Sequence, residues 1–336
     1  MHMADALLSP AVGIAMDAVA VAAIGYSAAK VKKDELSDKK IPLIGVAGAM
    51  VFAGQMINFT IPGTGSSGHI GGGILLAGLL GGFPAFLAIT AVLIIQCLFF
   101  ADGGLLALGC NIFNMGVIPC LLVYPLLFKP LISKNLGAKR LSIASIIAVI
   151  VGLEVGAFAV VLETTASGIT ELPFGTFSGL MLPIHLAIGS IEGVVTAGVL
   201  CFVYKMRPEI ISSATGGQRL TGVPVKKPLI ALVCLTLVVG GALSIFASSN
   251  PDGLEWAMGK TSAEELEADN AVANGAAAVQ DSTAFLPDYA LASDPENPVG
   301  TTVSGLVGAG ITFALAAAAG LGISAVKKRK KASVSA

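Results

Sequence analysis

The chain opens Met1-His2, and this second residue is one of only 3 histidines among 336 residues. The terminal amine of Met1, the deprotonated amide nitrogen of His2 and Nδ1 of its ring can close adjacent five- and six-membered chelate rings around one metal ion. Three nitrogens then share a plane. A fourth from another imidazole completes the square that Ni(II) and Cu(II) prefer and low-spin Co(II) accepts. Zinc favours tetrahedral sites and Mg(II) or Ca(II) oxygen shells, so this arrangement disfavours them. An incidental histidine at position two is the plain alternative. A cleaved leader would place basic residues before a short apolar core, whereas the first lysine here is Lys30, after the apolar run. The bulky His2 also disfavours trimming of Met1, so the free amine is expected in the mature protein.

The elements that must position these groups are membrane helices. The sequence is 55% apolar and only 12% charged, with 41 glycines, far from the soluble norm of about a quarter charged. Its mean hydropathy is +0.86. Runs long enough to cross a hydrocarbon core fall at about 5–29, 41–58, 69–82, 83–100, 104–128, 141–163, 178–204, 228–247 and 301–326. They are continuous, without strand alternation, and predict an all-α integral membrane protein of about nine transmembrane helices. Of the 20 Lys and Arg residues, all but Lys260 follow the first, fifth, seventh and ninth runs, such as Lys39, Lys134 and Arg219. The excess of basic residues inside then sets the N-terminus outside and the C-terminus inside a multi-pass plasma-membrane protein. An odd number of helices between Lys40 and Lys129 is required, and splitting 69–100 at Gly81-Gly82-Phe83-Pro84 supplies it. On this topology His2, His69 and His185 all lie in the outer half. His69 ends a glycine-rich loop, 58–69, and a loop at membrane depth must be buried or line a cavity.

The segment 248–299 differs from the rest. It carries Asp252, Glu255, Glu264, Glu265, Glu267, Asp269, Asp281, Asp288, Asp294 and Glu296 against one lysine, and reads as an external loop that either gathers cations or is simply solvated. Asp17, Glu154 and Glu192 fall inside spans, where carboxyls usually face the bundle interior. Glu192 follows His185 by seven residues and so shares its helix face. Gly45-Ala49-Ala53 and Ala18-Ala22 allow close helix approach, either to a partner subunit or within ordinary helix contacts. The five cysteines sit in apolar runs without metal spacing and read as small buried residues. Met258-Gly259-Lys260-Thr261 lacks the earlier glycine of a phosphate loop, because Leu254 stands there. No nucleotide motif is found, so any ATP hydrolysis belongs to another subunit.

Met1-His2, Phe52-Ala53-Gly54-Gln55-Met56-Ile57-Asn58-Phe59, Gly65-Ser66-Ser67-Gly68-His69 and Leu182-Pro183-Ile184-His185-Leu186-Ala187-Ile188-Gly189-Ser190-Ile191-Glu192-Gly193 together resemble the CbiM/NikM family. Its members are substrate-capture components of energy-coupling-factor transporters for cobalt and nickel. The likeness covers about 1–205. Asn250-Pro251-Asp252-Gly253-Leu254-Glu255 resembles the PDGLE motif of the companion N component, which implies that 228–336 is this two-helix component, joined by a cytoplasmic linker at 206–227. The resemblance implies a Co(II) or Ni(II) site at Met1, His2 and His69, with Asn58 and His185 beside it or along the way in, and no permanent cofactor. It also implies a transmembrane coupling subunit and cytoplasmic ATPase subunits as partners, with cobalt uptake serving cobalamin biosynthesis. The family continues its opening with Ile-Pro-Asp-Gly where this chain has Met3-Ala4-Asp5-Ala6, a departure that spares the chelating atoms. A self-sufficient secondary transporter or channel would favour paired charges and symmetric broken helices. A membrane metalloenzyme would need a base, and Glu192 is the one acidic residue placed for it; no H-E-x-x-H occurs. The expectation is a non-enzymatic capture subunit for Co(II) or Ni(II), with the choice between the two metals left open.

Overall fold

The computed structural model describes residues 1–33, 40–133, 135–169, 172–216, 220, 222–261, 270–294 and 297–334. Lys39, Lys134, Arg219, Glu264, Glu265, Glu267, Asp269 and Glu296 lie outside the described residues. After a short 3₁₀ turn at Asp5–Leu7, Pro10 begins α1 (Pro10–Lys33), where its fixed φ suits a first helical turn. Helix α2 (Lys40–Gln55) leads into an antiparallel hairpin of β1 (Phe59–Ile61) and β2 (Ser66–Gly68), pairing Phe59 with Gly68 and Ile61 with Ser66. Then come α3 (Gly73–Leu80) and α4 (Gly82–Phe100), parted by Gly81 at φ 85°. Helix α5 (Leu108–Ile112), a π-helical stretch Phe113–Phe128 and α6 (Lys129–Ser133) run on as one rod. Pro119 and Pro125 lie inside the widened part, where their missing N–H groups break the ordinary helical ladder. The chain continues through α7 (Ala138–Ser167), α8 (Phe174–Met206), α9 (Pro208–Gly216), α10 (Lys226–Gly241), α11 (Gly253–Thr261), α12 (Ala271–Thr283) and α13 (Val299–Val334).

Among the described residues, six helical stretches are long and apolar enough to cross a membrane: Pro10–Val31, Gly82–Phe100, Leu108–Ser133, Ala138–Ser167, Phe174–Met206 and Val299–Ala319. This is a multi-pass, predominantly helical membrane protein. Three of the expected spans are shorter helices. The 16 residues of α2 and of α10 and the 8 of α3 reach about 24 and 12 Å at 1.5 Å per residue, against a core of about 30 Å. Helix α3 is buried along its whole length. The expected loop 58–69 is in part a hairpin. Gly63 and Gly65 take φ of 78° and 76°, and the ladder pairs backbone groups that would otherwise be unmet.

Small residues bring the helices close. A methyl on Gly193 of α8 would stand 2.9 Å from Ile146 Cα and one on Gly189 3.3 Å from Ile150 Cα, so α7 and α8 touch nearly backbone to backbone. The row Gly45, Ala49 and Ala53 is likewise buried inside the chain: a methyl on Gly45 would meet Phe313 at 3.0 Å, and one on Gly240 would meet Ala53 Cβ at 3.2 Å. Of the two readings of this row, ordinary helix contacts hold and the docking role is corrected. Helices α13 and α10 of the same chain cover it, and the ring of Phe52 occupies the space a Cβ on Gly308 would take. Ala18 and Ala22, by contrast, are exposed.

Gly72 ends the extended stretch that carries His69. It has φ 79°, and an added Cβ would overlap Val51. Gly72→Ala is expected to cost about 2–4 kcal/mol from left-handed strain plus overpacking, read as a lower midpoint of thermal unfolding.

Candidate metal centre

The chain's first residues are pinned from several sides. Met3 N donates to Asn111 Oδ1 at 2.7 Å, while Met3 O accepts from Asn111 Nδ2 at 3.2 Å and from Gly104 N at 2.9 Å. Asp5 Oδ1 accepts from Ala107 N at 2.9 Å. The departing residues Met3-Ala4-Asp5-Ala6 thus build an anchor of their own. Met1 is 6% exposed, and its amine donates to Asp252 Oδ2 at 2.5 Å.

His2 and His69 stack with ring centroids 5.3 Å apart. His69 Nδ1 sits 3.0 Å from Ile70 O. A carbonyl only accepts, so Nδ1 carries the proton and Nε2 keeps the lone pair a metal needs. In His2, Nε2 lies 3.2 Å from Gln96 Oε1 and Nδ1, the nitrogen expected to chelate, 3.3 Å from Asp102 Oδ1. Gln96 is oriented in turn by donating to Gln55 Oε1 at 2.8 Å, and Gln55 donates to Gly71 O at 3.1 Å. Asp102 is held by the Tyr289 hydroxyl. Each N-terminal donor thus has a carboxylate against it, Asp252 at the amine and Asp102 at the ring, which can offset the charge of an arriving cation.

The hairpin that presents His69 is held from the other side by residues 248–256. Ser67 N donates to Pro251 O at 2.8 Å and its hydroxyl to Asn250 O at 2.7 Å, while Ser248 N donates to Asn58 O at 2.7 Å. Trp256, the single tryptophan, donates Nε1–H to Thr64 O at 2.9 Å. Asp252 caps α11 as well, accepting from Leu254 N at 2.8 Å and Glu255 N at 2.9 Å. Gly68 must be glycine: a methyl there would lie 2.5 Å from Ile188 Cγ1.

A vestibule of about 680 Å³ opens onto this cluster, lined by His2, Asn58, His69 and the carboxylates Asp102, Asp252, Glu255 and Asp288 among others. Beneath it a small cavity is shared by Met1, His69, His185 and Asp252. The expected site residues therefore divide. Met1, His2 and His69 meet, Asn58 lines the vestibule, and His185 and Glu192 lie deeper, at 1% and 3% exposure. Asp252, Asp102 and Gln96 were missed as site residues. Gln96, a polar residue in an apolar run, was the available signal. Among the described residues no three His, Cys, Asp or Glu side chains form a ready metal set. The candidate site needs the backbone nitrogens as well.

Burial would raise the Asp252 carboxyl, but the Met1 ammonium, through its charge and its hydrogen bond, outweighs that and holds it below the ordinary carboxylate range. Burial is also the largest influence on His2 and, despite the opposing charge of Asp102, keeps its ring below its usual 6.5. On undocking, such a ring takes up a proton at pH values beneath 6.5, so acid favours the undocked N-terminus and neutral pH the docked one. Stability of the metal-free chain is expected to fall as pH drops below about 6.5, measured by thermal unfolding across pH, and His2→Gln should flatten that slope.

The family model for cobalt uptake substrate-specific transmembrane regions, CbiM, matches residues 2–210, and that for the PDGLE domain matches 226–325. A putative fused nickel transport protein NikMN of Archaeoglobus fulgidus is 31% identical over 94% of this chain and 96% of its own length. The fused nickel transport protein NikMN of Rhodobacter capsulatus is 28% identical over 97% of both. A solved structure described as a truncated transition metal transporter aligns with a TM-score of 0.54 at 30% identity, covering 61% of this chain and 99% of that one.

Proposed function

Since the chain belongs to the CbiM family of cobalt-uptake transmembrane proteins and carries a PDGLE domain behind it, we propose that it captures Co(II) or Ni(II) as the substrate-binding component of an energy-coupling-factor transporter. The observation that carries this reading is the meeting of the Met1 amine, His2 and His69 beneath an acidic vestibule. Residues 1–205 act as the capture domain, and residues 228–336 as an N component whose segment 248–256 braces the metal loop. The site end lies outside the plasma membrane and the C-terminus inside, in keeping with the lysine and arginine clusters.

A cation enters through the vestibule, where Asp102, Asp252, Glu255 and Asp288 concentrate it. Loading then replaces protons on the donors, because the amine and the amide bind metal only when deprotonated. The His2 ring turns Nδ1 from Asp102 to the ion, and His69 Nε2 closes the square. A transmembrane coupling subunit with cytoplasmic ATPases drives release inward, and cobalt so imported serves cobalamin biosynthesis. The exposed Ala18 and Ala22 of α1, rather than the buried row on α2, offer that subunit a close-approach face.

Calorimetric titration of the chain with a free Met1 amine is expected to show one tight equivalent of Ni(II) or Co(II); no binding would sink the reading. Proteoliposomes holding this chain alone should not accumulate metal, whereas accumulation would favour a self-sufficient transporter. Replacing Glu255 by Gln and Asp288 by Asn together should slow association roughly 2–10-fold at low salt, and the difference should vanish near 0.5 M salt. Trp256 emission, measured by stopped flow, reports it.

A further inference from the structure

Capture uses the outer groups and leaves unexplained, among other buried polar atoms, three that border the cavities beneath them. His185 Nε2, Glu192 Oε2 and Asn114 Oδ1 have no hydrogen-bond partner among the described residues, and their residues are 1%, 3% and 2% exposed. Each side chain is fixed by its other polar atom. His185 Nδ1 lies 2.7 Å from Met181 O, so it carries the proton and Nε2 bears a lone pair. Glu192 Oε1 accepts from Gly72 N at 2.8 Å. Asn114 Nδ2 donates to Glu163 Oε2 at 2.7 Å, which turns Oδ1 the other way.

These atoms border two adjoining cavities. His185 lines the one that Met1, His69 and Asp252 share, and Glu192 and Asn114 line the next; Met1, Gly71, Met115 and Leu153 border both. Each cavity holds about 20 Å³, above the roughly 10–15 Å³ that one water-sized occupant needs. Gly253 keeps the first open, because a methyl there would stand 3.2 Å from His185 Nε2. With Glu192 ionised, all three atoms are acceptors. One water in each cavity could donate to them but would leave the carboxylate charge buried and uncompensated, whereas a divalent cation both satisfies acceptors and offsets that charge.

We propose that Glu192 Oε2 and Asn114 Oδ1, with His185 Nε2 between them and the outer site, form an inner station that receives the divalent transition-metal cation after capture. The inference rests on the capture reading and extends it inward. A mixed imidazole, carboxylate and amide set suits Co(II) or Ni(II) with less affinity than four nitrogens in a plane. Metal therefore fills this station after the outer one, at higher cation concentration or once the outer set lets go of it.

The test uses the full chain in detergent. Anomalous diffraction at the cobalt edge from crystals soaked in Co(II) should give a peak at Met1, His2 and His69 and a second, weaker one beside Glu192. In solution, His69→Ala should lose the tight equivalent and keep a weak one, bound about 100-fold less tightly or more. Adding Glu192→Gln to His69→Ala should abolish that weak equivalent, while Glu192→Asp should retain it. A single outer peak at saturating Co(II), or weak binding untouched by Glu192→Gln, overturns the inner station and leaves capture standing. A wild-type chain that binds no metal overturns both.

Discussion

One residue added ahead of Met1 is expected to weaken Ni(II) and Co(II) binding more than about 100-fold, since losing even an outer partner of a metal ligand costs 10–100-fold. The extension turns a primary amine into an amide and opens the five-membered chelate ring. It also has no room to pass unnoticed. The amine is 2.5 Å from Asp252, and Met1 Cε would touch a methyl placed on Gly156 at 3.1 Å. His2→Ala should match the loss, since it removes Nδ1 and leaves the amine. Unchanged elution on size exclusion separates donor loss from misfolding. Binding of the extended chain within threefold of wild type would remove the amine from the ligand set.

Asp252→Ala is expected to be the next most damaging change. Removing one partner of a buried ion pair typically costs about 3–5 kcal/mol, because the other charge stays buried and unmet. Here the partners are 5% and 16% exposed. The substitution also uncaps α11. Asp252→Asn separates the two roles, since asparagine caps a helix N-terminus as well as aspartate does. It should keep α11 on the hairpin, with Trp256 emission as in wild type, and still lower metal affinity about 10–100-fold for lack of the counter-charge. If Asp252→Asn binds metal as wild type does, the carboxylate is only a cap.

The chelation proposed for the start of the chain can be read from sequence because its chemistry is local: the amine, amide and ring of Met1-His2 need no folding to become neighbours. The long spans were legible from continuous hydropathy. Helices α2, α3 and α10 are shorter than their apolar runs; α2 and α3 are wrapped by other helices, which an apolar run does not distinguish from a lipid-facing span, whereas α10 keeps most of its apolar face exposed. For Gly45-Ala49-Ala53 the sequence leaves a partner subunit and ordinary helix contacts both open, because a small-residue row shows that something comes close without showing what; α13 and α10 occupy it. Asp252 stood in a recognised motif, yet its contact with Met1 joins positions 251 apart, and no local pattern encodes such a pairing. The split between Asn58 in the vestibule and His185 in the inner cavity likewise depends on where the hairpin folds back over α8.

The central claim is that the first two residues and His69 hold the transported ion with nitrogen alone. X-ray absorption at the nickel edge, on the free-amine chain loaded with one equivalent of Ni(II), tests it most directly. The account predicts a four-coordinate, planar shell of nitrogens that is lost in His69→Ala. A six-coordinate oxygen-rich shell, or a planar shell unchanged in His69→Ala, would contradict it.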